Sequence, residues 1–206
     1  MSSVRRKILV IDIFFNFVSG IVYISYCVNY MVEDKFYLEM KKLVFGCGNV
    51  LLGDDGFGPA VVDYLNDYYR LPDDTLALNV ETSIRGLLFN LVLSEEKPEL
   101  ILIIDAVDKG RKAGDIFEIN LDEIPEKKVD DFSMHQMPSS NLLKELKEDS
   151  GIAIRILVCQ VKYIPPEVGP GLTDVVKNAI PEMCARIIKL LEGYGAEVKQ
   201  IQIDDK

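Results

Sequence analysis

Three stretches of the chain carry side chains whose types and spacing could do chemistry. Asp54-Asp55-Gly56 closes the loop Gly48-Asn49-Val50-Leu51-Leu52-Gly53, which follows a short apolar run. Asp105 comes directly after Ile103-Ile104, and His135, the single histidine, lies in Phe132-Ser133-Met134-His135-Gln136-Met137-Pro138. Two hard carboxylate oxygens and one imidazole nitrogen suit a divalent cation with positions left open for other ligands. Each residue alone has a plainer explanation. Asp-Asp-Gly is good turn chemistry, an Asp after a strand often caps a helix or bonds within a loop, and a lone histidine is unremarkable. The combination carries the reading, and spacing alone does not make the three meet.

Rival chemistries are weaker. One histidine excludes sites of the His-Glu-x-x-His kind. Four cysteines, Cys27, Cys47, Cys159 and Cys184, lie far apart with no Cys-x-x-Cys, so no zinc knuckle or redox motif is signalled, and a reducing cytoplasm suits them. Cys47 with His135 could form a thiolate and its base, but no oxyanion-hole motif or third orienting residue accompanies them. Cys159, in Ile156-Leu157-Val158-Cys159, reads as core. Ser139 and Ser140 lack a Gly-x-Ser-x-Gly elbow and read as helix caps. Gly46-Cys47-Gly48-Asn49-Val50-Leu51 has the first two glycines of the dinucleotide pattern Gly-x-Gly-x-x-Gly, with Leu51 at the third position. There Asp54 and Asp55 would repel a pyrophosphate, and Glu81 alone suits a ribose-binding role. A formal net charge of −10 argues against nucleic acid, whose binders cluster Lys and Arg.

The elements that must position these residues alternate along the chain. Leu43-Val44-Phe45 reads as a strand, and apolar Ala60, Val61, Tyr64, Leu65 and Tyr68 recur at helical spacing after Pro59. A weaker strand, Leu76 to Glu81, leads into a helical pattern around Leu87 to Leu93. The unbroken apolar run Leu100 to Ile104 follows, as expected of a strand buried on both faces and ended by Asp105. Ile116 to Asn120 reads as a strand, Asn141 to Lys147 as a helix and Ile152 to Val161 as a long strand. Leu172 to Leu191 closes the chain as a helix that Pro181 should kink or restart. The order predicts a three-layer α/β fold, a mostly parallel twisted sheet with helices on both faces. Ligands of such sheets bind beyond the carboxyl ends of the strands.

A chain of 206 residues suits one domain, or one domain and an appendage. Residues 1–39 are the appendage. Arg5-Arg6-Lys7 precedes a largely apolar run, Ile8 to Val32, long enough for a membrane segment. Asp12, Asn16 and Asn29 interrupt it, no small-residue cleavage site follows, and its Ile, Phe, Tyr, Asn and Lys have AT-rich codons. Met40-Lys41-Lys42 then opens a clean strand, as a natural start would. The expectation is that residues 1–39 are translated upstream sequence and that 40–206 is the functional domain, with a membrane association only if the segment is genuine.

Gly46-Cys47-Gly48-Asn49-Val50-Leu51-Leu52-Gly53-Asp54-Asp55-Gly56-Phe57-Gly58 resembles the Gly-x-Gly-Asn-x-Leu-x-x-Asp-(Glu/Asp)-x-x-Gly opening of hydrogenase maturation proteases. Ile104-Asp105-Ala106 and Ser133-Met134-His135-Gln136 resemble the family's two later motifs, and Val168-Gly169-Pro170-Gly171-Leu172-Thr173 its segment before the last helix. Asp105 to Gly110 and Asp131 to Gln136 most resemble the delta protein of archaeal deazaflavin-reducing nickel-iron hydrogenases. The resemblance implies a cytoplasmic endopeptidase that removes a C-terminal extension from the hydrogenase large subunit precursor after nickel insertion. It places Asp55, Asp105 and His135 at the family's metal-binding and catalytic positions, with the nickel supplied by the substrate subunit. Many members have Glu at the position of Asp55, which leaves Asp54 as a residue that could share its role. A non-catalytic assembly factor that binds the nickel-loaded subunit is the alternative.

Overall fold

The computed structural model describes residues 36–123 and 140–201; the apolar segment before them and the stretch containing His135 lie outside the described residues. Among the described residues seven strands run in chain order: β1 Lys42–Cys47, β2 Tyr69–Arg70, β3 Thr75–Glu81, β4 Leu100–Val107, β5 Ile116–Ile119, β6 Ala153–Gln160 and β7 Lys199–Gln200. The α-helices are α1 Phe57–Tyr68, α2 Ile84–Leu93, α3 Ser140–Ser150, α4 Asp174–Lys177 and α5 Ile180–Gly193.

Five strands form the central sheet in the order β3-β1-β4-β6-β5. β1 lies parallel to both β3 and β4, and β4 parallel to β6. β5 runs antiparallel to β6 at the edge. The residues 108–115 that lead into β5 are too few for a crossover helix, so the chain returns in the opposite direction. β2 and β7 pair antiparallel as a separate ribbon.

The unbroken apolar runs are explained by burial on both faces. Val44, Leu102, Ile104 and Leu157 point into a core with Phe57, Val61 and Leu65 of α1 and Met183, Ile187 and Leu191 of α5. Their neighbours Leu43, Phe45, Ile101, Ile103 and Ile156 point the other way, against Leu87, Leu88 and Leu91 of α2 and Leu143 and Leu146 of α3. This period-two alternation of contact, hidden in sequence because both sides are apolar, builds the expected three layers. Pro181 restarts the closing helix: it stands in the first turn of α5, where its missing N–H would go unused.

Ahead of β1, Phe36–Glu39 form a 3-10 turn, and Tyr37 is buried at 1% exposure in the α2 and α3 core. Among the described residues no helix is long and apolar enough to cross a membrane.

Candidate functional site

The site is built where β1 stops short of its neighbour. β1 pairs with β4 up to Gly46 opposite Ile104, so Asp105 lies one residue beyond that pairing, at the rim of β1. β4 itself does not end at Asp105, as its sequence suggested. It continues to Val107 because β6 stays alongside it, with Asp105 opposite Val158 and Val107 opposite Gln160. Asp105 is therefore a strand residue whose backbone is paired on one flank only.

Two glycines bring the other carboxylate to it. A Cβ on Gly58, in the first turn of α1, would lie 2.2 Å from the Cys47 carbonyl oxygen and 2.3 Å from that of Ile104. Without one, α1 starts directly over the ends of β1 and β4. Gly48 has φ +127°, and a Cβ there would fall 1.9 Å from the Asp55 carbonyl oxygen. The loop thus folds tightly back on the 3-10 turn Gly53–Gly56, which carries Asp55. These glycines serve internal packing.

Asp55 Oδ2 accepts a hydrogen bond from the Asn49 amide at 2.8 Å, and Asn49 Oδ1 accepts one from the Leu51 amide at 3.0 Å. Asp105 Oδ1 accepts from the Ala106 amide at 2.8 Å. Burial pushes the Asp105 carboxyl up from its ordinary range to about 7; the Ala106 amide pulls it back, and the nearby Asp55 charge raises it further. The structure therefore brings Asp55 and Asp105 within range of each other's charge at the sheet's carboxyl edge. A divalent cation held between them would relieve that repulsion and displace the proton that burial favours. Among the described residues no three His, Cys, Asp or Glu side chains gather as a metal-binding group, and His135 falls outside those residues.

Asp54 is not a second copy of Asp55. It is wholly buried, and its carboxylate accepts from the Lys162 amide (2.8 Å), the Tyr163 amide (2.9 Å), the Thr173 amide (2.7 Å) and the Thr173 hydroxyl (3.0 Å). It faces into the protein, so the expectation that it could share Asp55's role is corrected. Cys47 is also unsuited to its rival role. Burial, and then the Asp105 charge, push its thiol well above the ordinary value, which disfavours a thiolate nucleophile. Glu81 stands at a register shift between β1 and β3 with φ +45°, and its carbonyl accepts from the Gly48 amide at 3.2 Å. The helix after this loop begins only at Phe57, behind the turn that carries Asp54 and Asp55. Acidic residues thus stand where a dinucleotide's pyrophosphate would need amides.

Residues 59–190 match the HycI hydrogenase maturation protease family. The chain belongs to that family. It is 35% identical to the coenzyme F420 hydrogenase subunit delta of Methanothermobacter thermautotrophicus, over 73% of this chain and 94% of that one. It is 28% identical to the hydrogenase 2 maturation protease of Escherichia coli, over 77% of this chain and 94% of the relative. The solved structure of the hydrogenase maturating endopeptidase HybD from E. coli superimposes with a TM-score of 0.66 at 25% identity, covering 78% of this chain and 98% of that one. The chain is thus an enzyme of the maturation endopeptidase type on the fold its sequence suggested.

Asn49, Thr173 and the 162–163 amides are the structural members of the site region that sequence reading did not single out by role. The signal for Thr173 was its place at the end of Val168-Gly169-Pro170-Gly171-Leu172-Thr173, ahead of a helix. Asn49 carried no signal beyond its place in the motif.

Proposed function

We propose that this endopeptidase trims a C-terminal extension from the nickel-loaded large subunit precursor of a nickel-iron hydrogenase, the deazaflavin-reducing enzyme in particular. The observation that carries the reading is the Asp55 and Asp105 pair at the sheet's carboxyl edge in a chain of this family. The likeness to a subunit of the coenzyme F420 hydrogenase supports the choice of substrate. Nickel enters as the substrate's cargo: held by the precursor's cysteines, it engages Asp55, Asp105 and His135, so that only a loaded precursor is positioned for cleavage. When bound, the metal supplies polarisation of a peptide carbonyl or a water. The buried free thiols Cys47, Cys159 and Cys184 suit action in a reducing cytoplasm.

The test is to incubate the protein with large subunit precursor, with and without nickel, and to weigh the products over time by mass spectrometry. The reading expects loss of a short C-terminal peptide from loaded precursor alone. One observation favours a second reading: the archaeal relative is named as a hydrogenase subunit. A non-catalytic assembly factor predicts lasting association with loaded precursor whose mass never changes.

A further inference from the structure

We propose that Asp54 is a positioning residue, which clamps the loop carrying Asp55 onto the segment after β6 and so fixes where the Asp55 carboxylate stands. A buried carboxylate is costly unless its lone pairs are filled. Asp54 fills them with donors more than a hundred positions along the chain. Oδ1 takes the Thr173 amide, and Oδ2 takes the Lys162 and Tyr163 amides and the Thr173 hydroxyl. One side chain thereby ties three stretches together.

The backbone repeats the connection. The Asp54 amide donates to the Tyr163 carbonyl at 3.3 Å, the Gly53 amide to the Gly169 carbonyl at 3.0 Å, and the Gly169 amide to the Leu51 carbonyl at 2.9 Å. The approach is close: a Cβ on Gly53 would lie 2.7 Å from Pro165 Cδ. Asp55 is the next residue, and its carboxylate is oriented within the same loop by the Asn49 amide. A shift of Asp54 would therefore be passed to Asp55 over a single peptide unit.

Thr173 shows where its hydroxyl is engaged. It is the N-cap of α4, a position where a threonine hydroxyl ordinarily accepts from the helix's own amides, yet it makes no side-chain capping bond. Its hydroxyl donates instead to Asp54. Replacing Thr173 by Val consequently removes a clamp bond without removing a cap, and Thr173→Ser keeps the hydroxyl.

The kinetic consequence rests on the protease reading; the geometric one does not, and the experiment reads both in the full chain. Amide exchange at Asn49 reports the bond to Asp55, and exchange at Ile156 in β6 reports the core. Thr173→Val is expected to speed Asn49 exchange about tenfold, the loss of one bond to a charged acceptor, with Ile156 unchanged. Asp54→Asn should do so more strongly, and Thr173→Ser should restore protection. With nickel-loaded precursor, Thr173→Val should lower the saturating cleavage rate about tenfold and leave half-saturation within about twofold. Unchanged Asn49 exchange in both Thr173→Val and Asp54→Asn overturns the proposal, as does equal acceleration at Asn49 and Ile156. Absence of cleavage by the unmodified protein removes the protease reading alone, and the exchange data still decide on the clamp.

Discussion

The two edges of the sheet use charge in opposite ways. At the amino edge, the Lys42 side chain is 4% exposed and its ammonium sits 2.8 Å from Asp74, whose side chain is 40% exposed, while Lys41 and Glu99 make a looser pair at 3.7 Å. Cation meets anion there, and the pairing serves the fold. At the carboxyl edge carboxylate stands near carboxylate: burial raises the Asp105 carboxyl first, the Ala106 amide offsets only part of that, and the Asp55 charge adds to the rise rather than quieting it. A fold does not gain from such an arrangement, so the difference separates charges that hold the sheet from charges whose placement serves something other than stability.

The strongest way to break this comparison is to remove His135, the third residue of the proposed nickel set. Groups outside a metal's ligands typically cost 10–100-fold when lost, so His135→Ala should lower precursor trimming by roughly 100-fold or more. As a loop residue on the sequence pattern, it should leave the melting temperature within a few degrees. Parallel loss of fold and activity would make His135 structural. The assay is product mass beside circular dichroism.

Asp105 gives the next largest effect, and its sign differs from that of the amino edge. Its folded carboxyl lies near 7 against an ordinary 3.8, so between those values the folded state holds a proton that the unfolded state has lost. Stability without metal should therefore fall as pH rises from about 4 to about 7 and then level. Asp105→Asn cannot ionise and escapes this fall. At pH 8 it should be more stable than the parent by on the order of 2–4 kcal/mol, and near pH 4 the two should coincide, in denaturant titrations at both pH values.

Asp74→Asn should do the reverse, leaving the buried Lys42 ammonium without its anion. Lys42 holds the Asp74 carboxyl below its ordinary value. That contribution is complete above about pH 4 and disappears as pH falls through the depressed value. Because Asp74 is partly exposed, the expected loss at pH 7 is about 1–2 kcal/mol, shrinking in strong acid. The smallest effect belongs to Lys41 and Glu99, with side chains 61% and 53% exposed. Lys41→Ala should change stability by less than about 0.5 kcal/mol.

How much of this was legible depended on whether the determinant was local. Leu100 to Ile104 announced a central strand because burial on both faces permits no polar residue, and Pro181 announced a helix restart through its own ring. The end of β4 was not legible, since β6, a partner some fifty residues away, carries the strand past Asp105 to Val107. The antiparallel direction of β5 likewise depends on where the returning chain finds a free edge. Asp54 and Asp55 look alike in sequence. What separates them is a set of donors at Lys162, Tyr163 and Thr173, over a hundred residues further on. The family motif marked both residues, and only the folded chain separates the buried, fully bonded Asp54 from Asp55, which accepts the Asn49 amide and whose charge reaches Asp105.

The most direct test of the carboxyl edge is to compare the unmodified protein with Asp55→Asn on nickel-loaded and nickel-free precursor, following the C-terminal peptide by mass spectrometry. The account predicts trimming of loaded precursor by the unmodified protein alone, with both proteins melting alike. Trimming of nickel-free precursor at the same rate, or an Asp55→Asn variant as active as its parent, would contradict it.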